Sequence, residues 1–555
     1  MFGDTSEVLP VAEGKGSSWP TQRLTMTVAF ADGDRTWSFD LFSKLAGLAL
    51  LSFAALFIQR RLFHPLRKYP GPWLNSLSEI PAAIALASGR QQAYYRRLHS
   101  RYATSSGTIV RVAPNELSFV DPNAWQDIYN RKPPHMEKHP VFIGAVAKVG
   151  GAVGISMAPL ATKDHSRHRR ALGYSFATSA LVEQQEIILK QVRNLISHLK
   201  VFARKEKAID MTDWYTYTTF DLMGDLVFGQ PFGCLDGEGP TEWSRAIIHV
   251  FVSGAWEQAI RRVAGVNTWA ESVLKKILIP KKVALWRRLH FAKSRETTLK
   301  RIKDGQRNHK DLMYFLLKNK EARQNLSDLE IMINMVLLVS AGSETTASTL
   351  TAWTYFVCTN RSVHRRLLKE IRGNFKTAEH IVWENTQPDQ LPYLEATIHE
   401  ALRLVPPPAS SQQRVVPPGG AVICGERIPE GYAVAVPPVA VTHLDINFAD
   451  PTGFHPERWL PRDDDDWDEK FAKDKLGASQ PFSLGPRACL GKTLAYFELR
   501  LILASVLWNF DIDLAHAKET KDLWTMEDDM KYLKGYLTWV KPPLPVRLQE
   551  VKREA

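Results

Sequence analysis

The chain has 555 residues, 45% hydrophobic and 23% charged, which is a globular composition whose length permits one large domain or several small ones. Its four cysteines lie far apart and form no C-x-x-C pair, which argues against a zinc site and a disulfide framework. The formal net charge of +12 favours an anionic membrane surface or an acidic protein partner, since no nucleic-acid-binding motif accompanies it.

Two segments precede the main body of the chain. Residues 1–38 are polar and rich in Gly, Ser, Asp and Thr, which predicts an unstructured tail. Residues 39–60 predict a transmembrane signal anchor, because Lys44 is the only charge between Leu41 and Ile58. A spanning helix needs about 20 apolar residues, so this one is slightly short. A buried helix and a cleavable signal peptide are the alternatives, and the position of the segment, about forty residues from the start, argues against the signal peptide.

A basic and Pro-rich hinge at residues 61–73 is expected to join the anchor to the main body, residues 74–555. Arginines follow the apolar segment and aspartates precede it, so the positive-inside rule predicts that the large C-terminal part lies in the cytosol. Tyr69-Pro-Gly-Pro-Trp73 holds two prolines around a glycine and cannot continue a helix, which predicts a stiff bend.

The main body begins with a small β-hairpin and then becomes mostly helical. Residues 107–120 alternate apolar and polar side chains, which predicts the hairpin, and Trp125–Tyr129 predicts a short helix. Residues 131–160 hold many Gly and Pro, and they fit either a substrate lid or a surface loop with no special role. The helical period of residues 180–318 predicts helices that pack around a large α-helical body.

A long apolar helix without proline is predicted to begin at the capping box Ser327-Asp-Leu-Glu330. Ala341-Gly-Ser-Glu-Thr-Thr346 puts an acid and hydroxyls in its middle, where buried polar groups are costly unless they serve something. Ala341 and Thr345 share a helix face, and Gly342 removes bulk beside it, so a ligand fits close to the backbone. Thr345 is expected to hydrogen-bond the Ala341 carbonyl and to open a niche for oxygen and water. A helix that merely carries a Ser/Thr cluster is the alternative.

A second helix, Leu391–Leu404, carries Glu400 and Arg403 three residues apart on one face. Exposed pairs of this kind are common and contribute little to stability. A further arginine, Arg458, follows downstream, and between them a β-like region extends over residues 415–436.

Residues 482–491, Phe-Ser-Leu-Gly-Pro-Arg-Ala-Cys-Leu-Gly, put Cys489 between turn-forming residues and the start of an apolar helix. A lone cysteine in a hydrophobic protein is usually inert core, but the N–H groups and dipole at a helix N-terminus favour an anion such as a thiolate metal ligand. Gly485 and Gly491 let the backbone turn sharply and approach a flat partner closely. Arg487 is suited to pair with a carboxylate on that partner.

This loop has the pattern F-x-x-G-x-R-x-C-x-G, which resembles the haem-binding loop of the cytochrome P450 family. Residues 341–346 resemble the family's oxygen-activation motif, and Glu400 and Arg403 with Arg458 resemble its Glu-x-x-Arg motif and partner arginine. The resemblance extends over about residues 70 to 545. It implies a mainly α protein with the cytochrome P450 fold, a large helical body with a small β-sheet region, preceded by one N-terminal transmembrane helix.

The resemblance also implies a role for each candidate residue. Cys489 is expected to be the axial thiolate ligand of the iron of haem b. Thr345 and Glu344 are expected to relay protons to oxygen. His165 stands where the family often has a tryptophan, and Arg169 matches the arginine that accompanies it. The implied haem-binding residues are Phe482, Gly485, Arg487, Cys489, Gly491, Ala341, Arg169 and Arg414, the last two as propionate ligands. The implied structural trio, buried near the haem, is Glu400, Arg403 and Arg458.

The implied activity is haem-thiolate monooxygenation, in which one oxygen atom from O2 enters a hydrophobic small molecule. NADPH would supply electrons through a separate FAD/FMN reductase on the endoplasmic reticulum membrane. The chain most resembles fungal enzymes that tailor terpenoids, alkaloids or polyketides. The expected substrate-lining segments are residues 131–160, 405–411 and 534–537.

Two alternatives belong to other functional classes. A cytochrome P450-fold isomerase or dehydratase needs no reductase, and the presence of Glu344 with Thr345 argues against it. A non-catalytic haem-binding membrane protein needs no electron supply, and the anchor, with the electron-transfer apparatus that it implies, argues against it. NADPH consumption in the presence of a reductase distinguishes the three.

Overall fold

The computed structural model describes residues 35–103, 107–142, 156–237, 239–305, 308–527 and 530–553. The chain divides into two compact units, residues 1–58 and residues 59–555. Most of the predicted polar tail (residues 1–38) and much of the predicted lid segment (residues 131–160) lie outside the described residues.

The first unit contains one described helix, α1 (Arg35–Ile58), which begins four residues before the predicted start of the anchor. Its apolar side chains Leu41, Phe42 and Leu48 are exposed. A helix in this segment is thus confirmed. None of the helices in the described parts of the chain combines the length and the hydropathy required to cross a membrane.

The second unit is built mainly from α-helices, which confirms the predicted fold class. The helices are α2 (Trp73–Leu77), α3 (Ile80–Ala87), α4 (Gln91–Tyr102), α5 (Thr162–Gly173), α6 (Thr178–Arg204), α7 (Met211–Phe228), α8 (Glu242–Ala264), α9 (Trp269–Leu278), α10 (Lys281–Lys303), α11 (Leu312–Lys318), α12 (Lys320–Asn325), α13 (Asp328–Thr359), α14 (Arg361–Asn374), α15 (Pro392–Leu404), α16 (Pro438–Thr442), α17 (Lys492–Asn509) and α18 (Ala517–Trp524). Trp125–Tyr129, where the sequence predicts a short helix, forms a single π-helical turn.

The central helix α13 explains how the body holds together. Ser327 caps it, with the Ser327 side chain and the Glu330 side chain each accepting a backbone N–H, so the predicted capping box is confirmed. Its 32 residues span about 48 Å. Its apolar side chains are buried along most of its length because it packs against α7, α10, α15 and α17. One hydrophobic core contains buried residues of α7, α13, α15 and α17.

The β structure is small and is divided among four sheets in the described part of the chain. The strands are β1 (Ile109–Ala113), β2 (Glu116–Phe119), β3 (Ile209–Asp210), β4 (Arg414–Val415), β5 (Ala421–Ile423), β6 (Glu426–Ile428), β7 (Ala433–Ala435), β8 (Phe510–Leu514), β9 (Lys534–Gly535), β10 (Trp539–Val540) and β11 (Pro545–Glu550). The largest sheet has the order β1-β2-β7-β4, in which β1 and β2 are the predicted antiparallel hairpin and β2 pairs parallel with β7. The predicted β-like region after Arg414 is confirmed as β4 to β7.

Candidate active site

The Cys489 loop folds back on itself before α17 begins. Gly485–Arg487 forms a 3-10 turn, and the backbone N–H of Cys489 donates to the carbonyl oxygen of Phe482 at 2.9 Å. The Cys489 side chain faces a cavity, so it has accessible surface although it lies inside the protein. Burial raises the pKa of the Cys489 thiol, while the Gly491 N–H and the charges of Arg169 and Lys492 oppose that rise. A bound metal cation would remove the proton outright.

Gly485 has to be a glycine for two reasons. Its φ of +71° lies in the left-handed region that side-chain-bearing residues rarely adopt. A Cβ atom at this position would also lie 2.2 Å from the carbonyl oxygen of Tyr129, which is backbone and cannot move aside easily. The loop therefore packs directly on the π-helical turn that precedes the predicted lid segment.

The loop faces α13 across a cavity of about 320 Å³. The α13 residues that line it include Ala341, Gly342, Thr345 and Thr346. Apolar side chains from several elements complete the wall, among them Met157, Phe176, Leu337, Leu338, Leu402 and Val436. The cavity therefore combines one thiol wall, one hydroxyl-bearing helix and an apolar lining that suits a hydrophobic ligand.

The Thr345 hydroxyl donates to the carbonyl oxygen of Ala341 at 2.6 Å, which confirms the predicted bond. The same four-residue back-bonding recurs along α13, from Ser340, Ser343, Ser348, Thr349 and Thr351. Such bonds bend helices slightly and hold hydroxyl groups at fixed positions. Ala341 and Thr345 thus lie on one cavity-facing side of α13, as the sequence predicts.

The prediction for Gly342 needs a correction. A Cβ atom there would lie 2.5 Å from the Met223 sulfur of α7, so the missing side chain makes room for helix packing. Gly342 still lines the cavity, but the direction in which a side chain would project is already filled by Met223.

Glu344 does not belong to the described residues that line the cavity. Its side chain is 1% exposed, and its Oε2 accepts from the Lys541 ammonium at 2.7 Å. The Lys541 side chain is itself 6% exposed, so this is a buried ion pair. The predicted relay through Glu344 stays a prediction, and the structure adds a partner that the sequence did not suggest.

A basic cluster surrounds one end of the cavity. Lys138, His165, Arg169 and Arg487 line the cavity, and Arg414 stacks on the nearby Tyr129 ring at 5.1 Å. Arg169 Nη1 donates to the carbonyl oxygen of Ala488 at 2.6 Å, next to Cys489.

The charges of this cluster repel one another. Burial and the charge of Arg487 lower the pKa of Arg414 to about 10 although Tyr129 and Glu137 oppose the change. Burial, with Arg487, Arg169, Lys138 and Arg414, lowers the pKa of His165 to about 3. Burial, Arg414 and Arg487 lower the pKa of Lys138 well below its usual value.

These groups fit the two propionates of haem. Glu137 is the acid that pairs with the cluster, accepting from Arg487 Nη2 at 2.7 Å. Arg414 Nη1 and Arg487 Nη1 are buried with no hydrogen-bond partner among the described residues. Buried donors without acceptors are costly, and a bound dianion would satisfy them. Together with a soft thiolate donor on the wall, the cluster matches the charge and chemistry of an iron porphyrin with two carboxylates.

The sequence missed Glu498 as a cavity residue, whereas Lys138 belongs to the expected lining segment 131–160. Glu498 lies on α17, where an acid among Leu, Ile and Val was the available signal. Its Oε2 accepts from the Thr346 hydroxyl at 3.1 Å, and burial raises its pKa to about 8.

Two of the three expected substrate-lining segments contribute to the cavity. Lys138, Met157 and Ala158 come from residues 131–160, and Pro407 and Pro408 come from residues 405–411. Residues 534–537 are absent from the described lining. The N–H of Gly535 donates to the Gly89 carbonyl oxygen at 3.0 Å, and the contact of this segment with substrate stays a prediction.

Glu400 and Arg403 of α15 form a completely buried ionic cluster with Arg458. Two Arg403 nitrogens donate to the Glu400 carboxylate at 2.8 Å, and Arg458 Nε donates to it at 3.2 Å. Trp459 Nε1 donates to Glu400 as well, at 2.8 Å. Each side chain of the trio is 0% exposed, so the predicted juxtaposition is present in the fold.

The fold and the site together define a haem-thiolate protein. The sequence model of the family Cytochrome P450 matches residues 81–532, and the chain belongs to that family. It is 52% identical over 518 residues to "Cytochrome P450 monooxygenase aba2" of Botryotinia fuckeliana (strain B05.10), covering 92% of this chain and 96% of the relative. It is 49% identical to "Cytochrome P450 monooxygenase ABA2" of Pyricularia oryzae (91% and 95% covered) and 36% identical to "Cytochrome P450 monooxygenase atr2" of Stereocaulon alpinum (93% and 98%). The chain's function is that of a haem-thiolate monooxygenase.

Proposed function

We propose that this monooxygenase hydroxylates or epoxidises a hydrophobic small molecule in fungal secondary metabolism, with NADPH electrons delivered by a separate FAD/FMN reductase. The overall reaction is RH + O2 + NADPH + H⁺ → ROH + H2O + NADP⁺. The observation that carries the proposal is the cavity between Cys489 and Thr345, which sets a thiol opposite a hydroxyl-bearing helix inside an apolar wall. Relatives named as monooxygenases that cover nearly the whole chain support it.

When bound, haem would supply oxygen activation, and Cys489 would hold its iron through the thiolate while Lys138, Arg169, Arg414 and Arg487 would neutralise its propionates. The chain's own residues would do the rest. Leu337, Leu338 and the other apolar lining residues would bind the substrate and exclude bulk water, which limits loss of reducing equivalents. The Thr345 hydroxyl would hold a water molecule in the cavity and direct its proton, as a positioned general acid does.

Reconstitution with a reductase tests this function against its alternatives. The purified holoprotein is screened with terpenoid, alkaloid and polyketide metabolites for a low-to-high-spin shift of the haem absorption. Compounds that shift it are then incubated with NADPH and reductase. Product formation that requires both supports the monooxygenase, product without reductase supports an isomerase or dehydratase, and binding without product supports a haem carrier.

Replacing Thr345 by alanine should uncouple the reaction. Without the Thr345 hydroxyl, protons are delivered to oxygen less efficiently, so more of the O2 should be released as hydrogen peroxide. The ratio of product to NADPH consumed should fall roughly tenfold or more. The measurement is the ratio of product to NADPH consumed. Ser348→Ala removes a hydroxyl that bonds the backbone of the same helix and is not among the described cavity-lining residues, so it serves as the control. An unchanged ratio in Thr345→Ala would remove Thr345 from the relay.

We further propose that the protein is held at the endoplasmic reticulum membrane with its catalytic unit in the cytosol. The apolar sequence of residues 41–58 between acidic and basic flanks supports this, as do the exposed apolar side chains of α9, Trp269, Ile277 and Leu278. Deletion of residues 1–60 should shift the protein from the carbonate-resistant microsomal fraction toward the supernatant. Full-length protein recovered in the carbonate supernatant would contradict the anchor.

A further inference from the structure

One side chain of α13 holds the backbone of a cavity-lining residue at the end of the cavity. The α13 residues that line the cavity share a helix face and include Leu337, Leu338, Ala341 and Thr345. Asn334 lies on the same face, one turn before Leu337 and Leu338. Its Oδ1 accepts the backbone N–H of Met157 at 2.9 Å, and the Met157 side chain lines the cavity. The chain therefore crosses α13 at Asn334, where the cavity-facing stripe ends.

The Asn334 amide has only one possible orientation. The side chain is 0% exposed, so its polar atoms depend on protein partners. The Met157 N–H can only donate, so it requires Oδ1. The backbone carbonyl oxygen of Glu330 can only accept, so it requires Nδ2, which lies 2.7 Å away. The second N–H of Nδ2 is directed at Nδ1 of His168, at 3.0 Å. The amide is thus held by three neighbours and cannot turn over without losing bonds.

His168 supports this orientation from α5. Since its Nδ1 accepts from Asn334, the neutral ring carries its proton on Nε2, which donates to Oε1 of Glu330 at 3.1 Å. Burial lowers the pKa of His168 although the Glu330 carboxylate opposes the change, so the ring is neutral at pH 7. The Arg167 guanidinium donates to the same carboxylate at 2.6 Å. The acid that orients the ring is therefore itself fixed.

We propose that Asn334 is a positioning residue that fixes Met157 at this end of the cavity and thereby limits the length of hydrophobic substrate that fits along α13. This rests on the monooxygenase function proposed above. Asn334 lies seven positions before Ala341, which is a rise of about 10 Å along the helix axis. The cavity is therefore suited to compact apolar molecules and not to long acyl chains that lie along this helix.

A series of 1-alkylimidazoles, from butyl to dodecyl, measures this length limit without turnover. The imidazole anchors each ligand on the haem iron, and the shift of the haem absorption reports binding. In the wild-type holoprotein, affinity should rise about fourfold for each buried CH2 group and stop rising once the chain reaches Met157. Asn334→Leu removes the acceptor of the Met157 N–H. Its affinity should go on rising for two or more further CH2 groups, so that the longest chains bind roughly tenfold more tightly.

The matched control is Thr351→Ala. Thr351 is buried in the same helix, bonds the Ala347 carbonyl oxygen and lies outside the described cavity lining. This variant should keep the wild-type length limit. An unchanged limit in Asn334→Leu would overturn the proposal. A loss of affinity that affects unsubstituted imidazole as strongly as the long chains would overturn it as well, because Asn334 would then merely support the fold.

Hydrogen exchange tests the bond itself. The Met157 N–H should exchange roughly tenfold faster in Asn334→Leu than in the wild type, because the bond that protects it is gone. Thr351→Ala should leave this rate unchanged. An equally slow Met157 N–H in Asn334→Leu would contradict the proposed role.

A second variant keeps the test decisive if Asn334→Leu loses haem. His168→Phe keeps an aromatic ring but removes the acceptor of one Asn334 N–H. It should move the length limit in the same direction and speed the exchange of the Met157 N–H. If neither changes, the proposal is overturned. If the wild-type protein makes no product with NADPH and reductase, the proposed function fails, while the length limit and the exchange rate still decide the role of Asn334.

Discussion

Replacing Cys489 by serine is expected to abolish the red-shifted carbon monoxide band of the reduced holoprotein and to reduce turnover below detection. A hydroxyl is a hard, weakly acidic donor that does not replace the electron donation of a thiolate to the iron. The fold itself should survive, since the hydrogen bond that anchors residue 489 to Phe482 uses the backbone N–H and not the side chain. The measurement is the difference spectrum of the reduced protein with carbon monoxide, combined with far-ultraviolet circular dichroism.

The matched control is Cys424→Ser, because Cys424 is half-buried and lies outside the described cavity lining. It should keep the band and the activity. A Cys489→Ser protein that retains the thiolate-type band would mean that another residue ligates the iron, and the site assignment would then be wrong.

Replacing Glu400 by glutamine should cost stability and haem content together. The Glu400 carboxylate accepts from Arg403, Arg458 and Trp459 inside the core. Removing its charge leaves the buried Arg403 guanidinium without a counter-ion, whereas Arg458 keeps Asp474. Breaking one partner of a buried pair costs about 3–5 kcal/mol in comparable sites. The midpoint of chemical unfolding and the haem-to-protein ratio measure the two effects.

The control for this variant is Glu296→Gln, which removes an acid of an exposed pair, 75% exposed and 3.9 Å from Lys293. It should change the free energy of unfolding by less than about 1 kcal/mol. A Glu400→Gln protein as stable as the control would contradict the structural role of the trio.

The Glu400 carboxylate is also expected to account for part of the protein's loss of stability in acid. Burial alone would raise the pKa of Glu400, but Arg403 and Arg458 outweigh it and lower the pKa to about 2. Because the folded value is depressed, the stabilisation is complete above the usual carboxyl pKa of about 4.3 and is lost as the pH falls toward 2. The Glu400→Gln protein should lose less stability over this interval than the wild type.

The features that the sequence predicts well are local ones. The capping box of α13, the hairpin β1–β2 and the Thr345–Ala341 bond each depend on residues a few positions apart, so spacing and turn chemistry decide them. The Cys489 loop belongs to this class as well, because its glycines and its cysteine act within ten residues.

The features that escape sequence reasoning join distant parts of the chain. Glu344 and Lys541 are 197 positions apart, and no periodicity reports that a C-terminal lysine reaches the central helix. The sequence predicts that Gly342 leaves space for a ligand, whereas Met223 of another helix occupies that space. Glu498 likewise becomes a cavity residue only when α17 is packed against α13. Tertiary packing, which spacing does not encode, decides these cases.

The most direct test of the central claim follows the oxygen atoms. The holoprotein, its reductase and NADPH are incubated with a substrate found by the spin-state screen under heavy-isotope O2, and the product is analysed by mass spectrometry. The account predicts one labelled oxygen atom per product molecule and the other in water, with one NADPH consumed for each coupled turnover. A product that carries no label, or that forms equally well without NADPH, would contradict it.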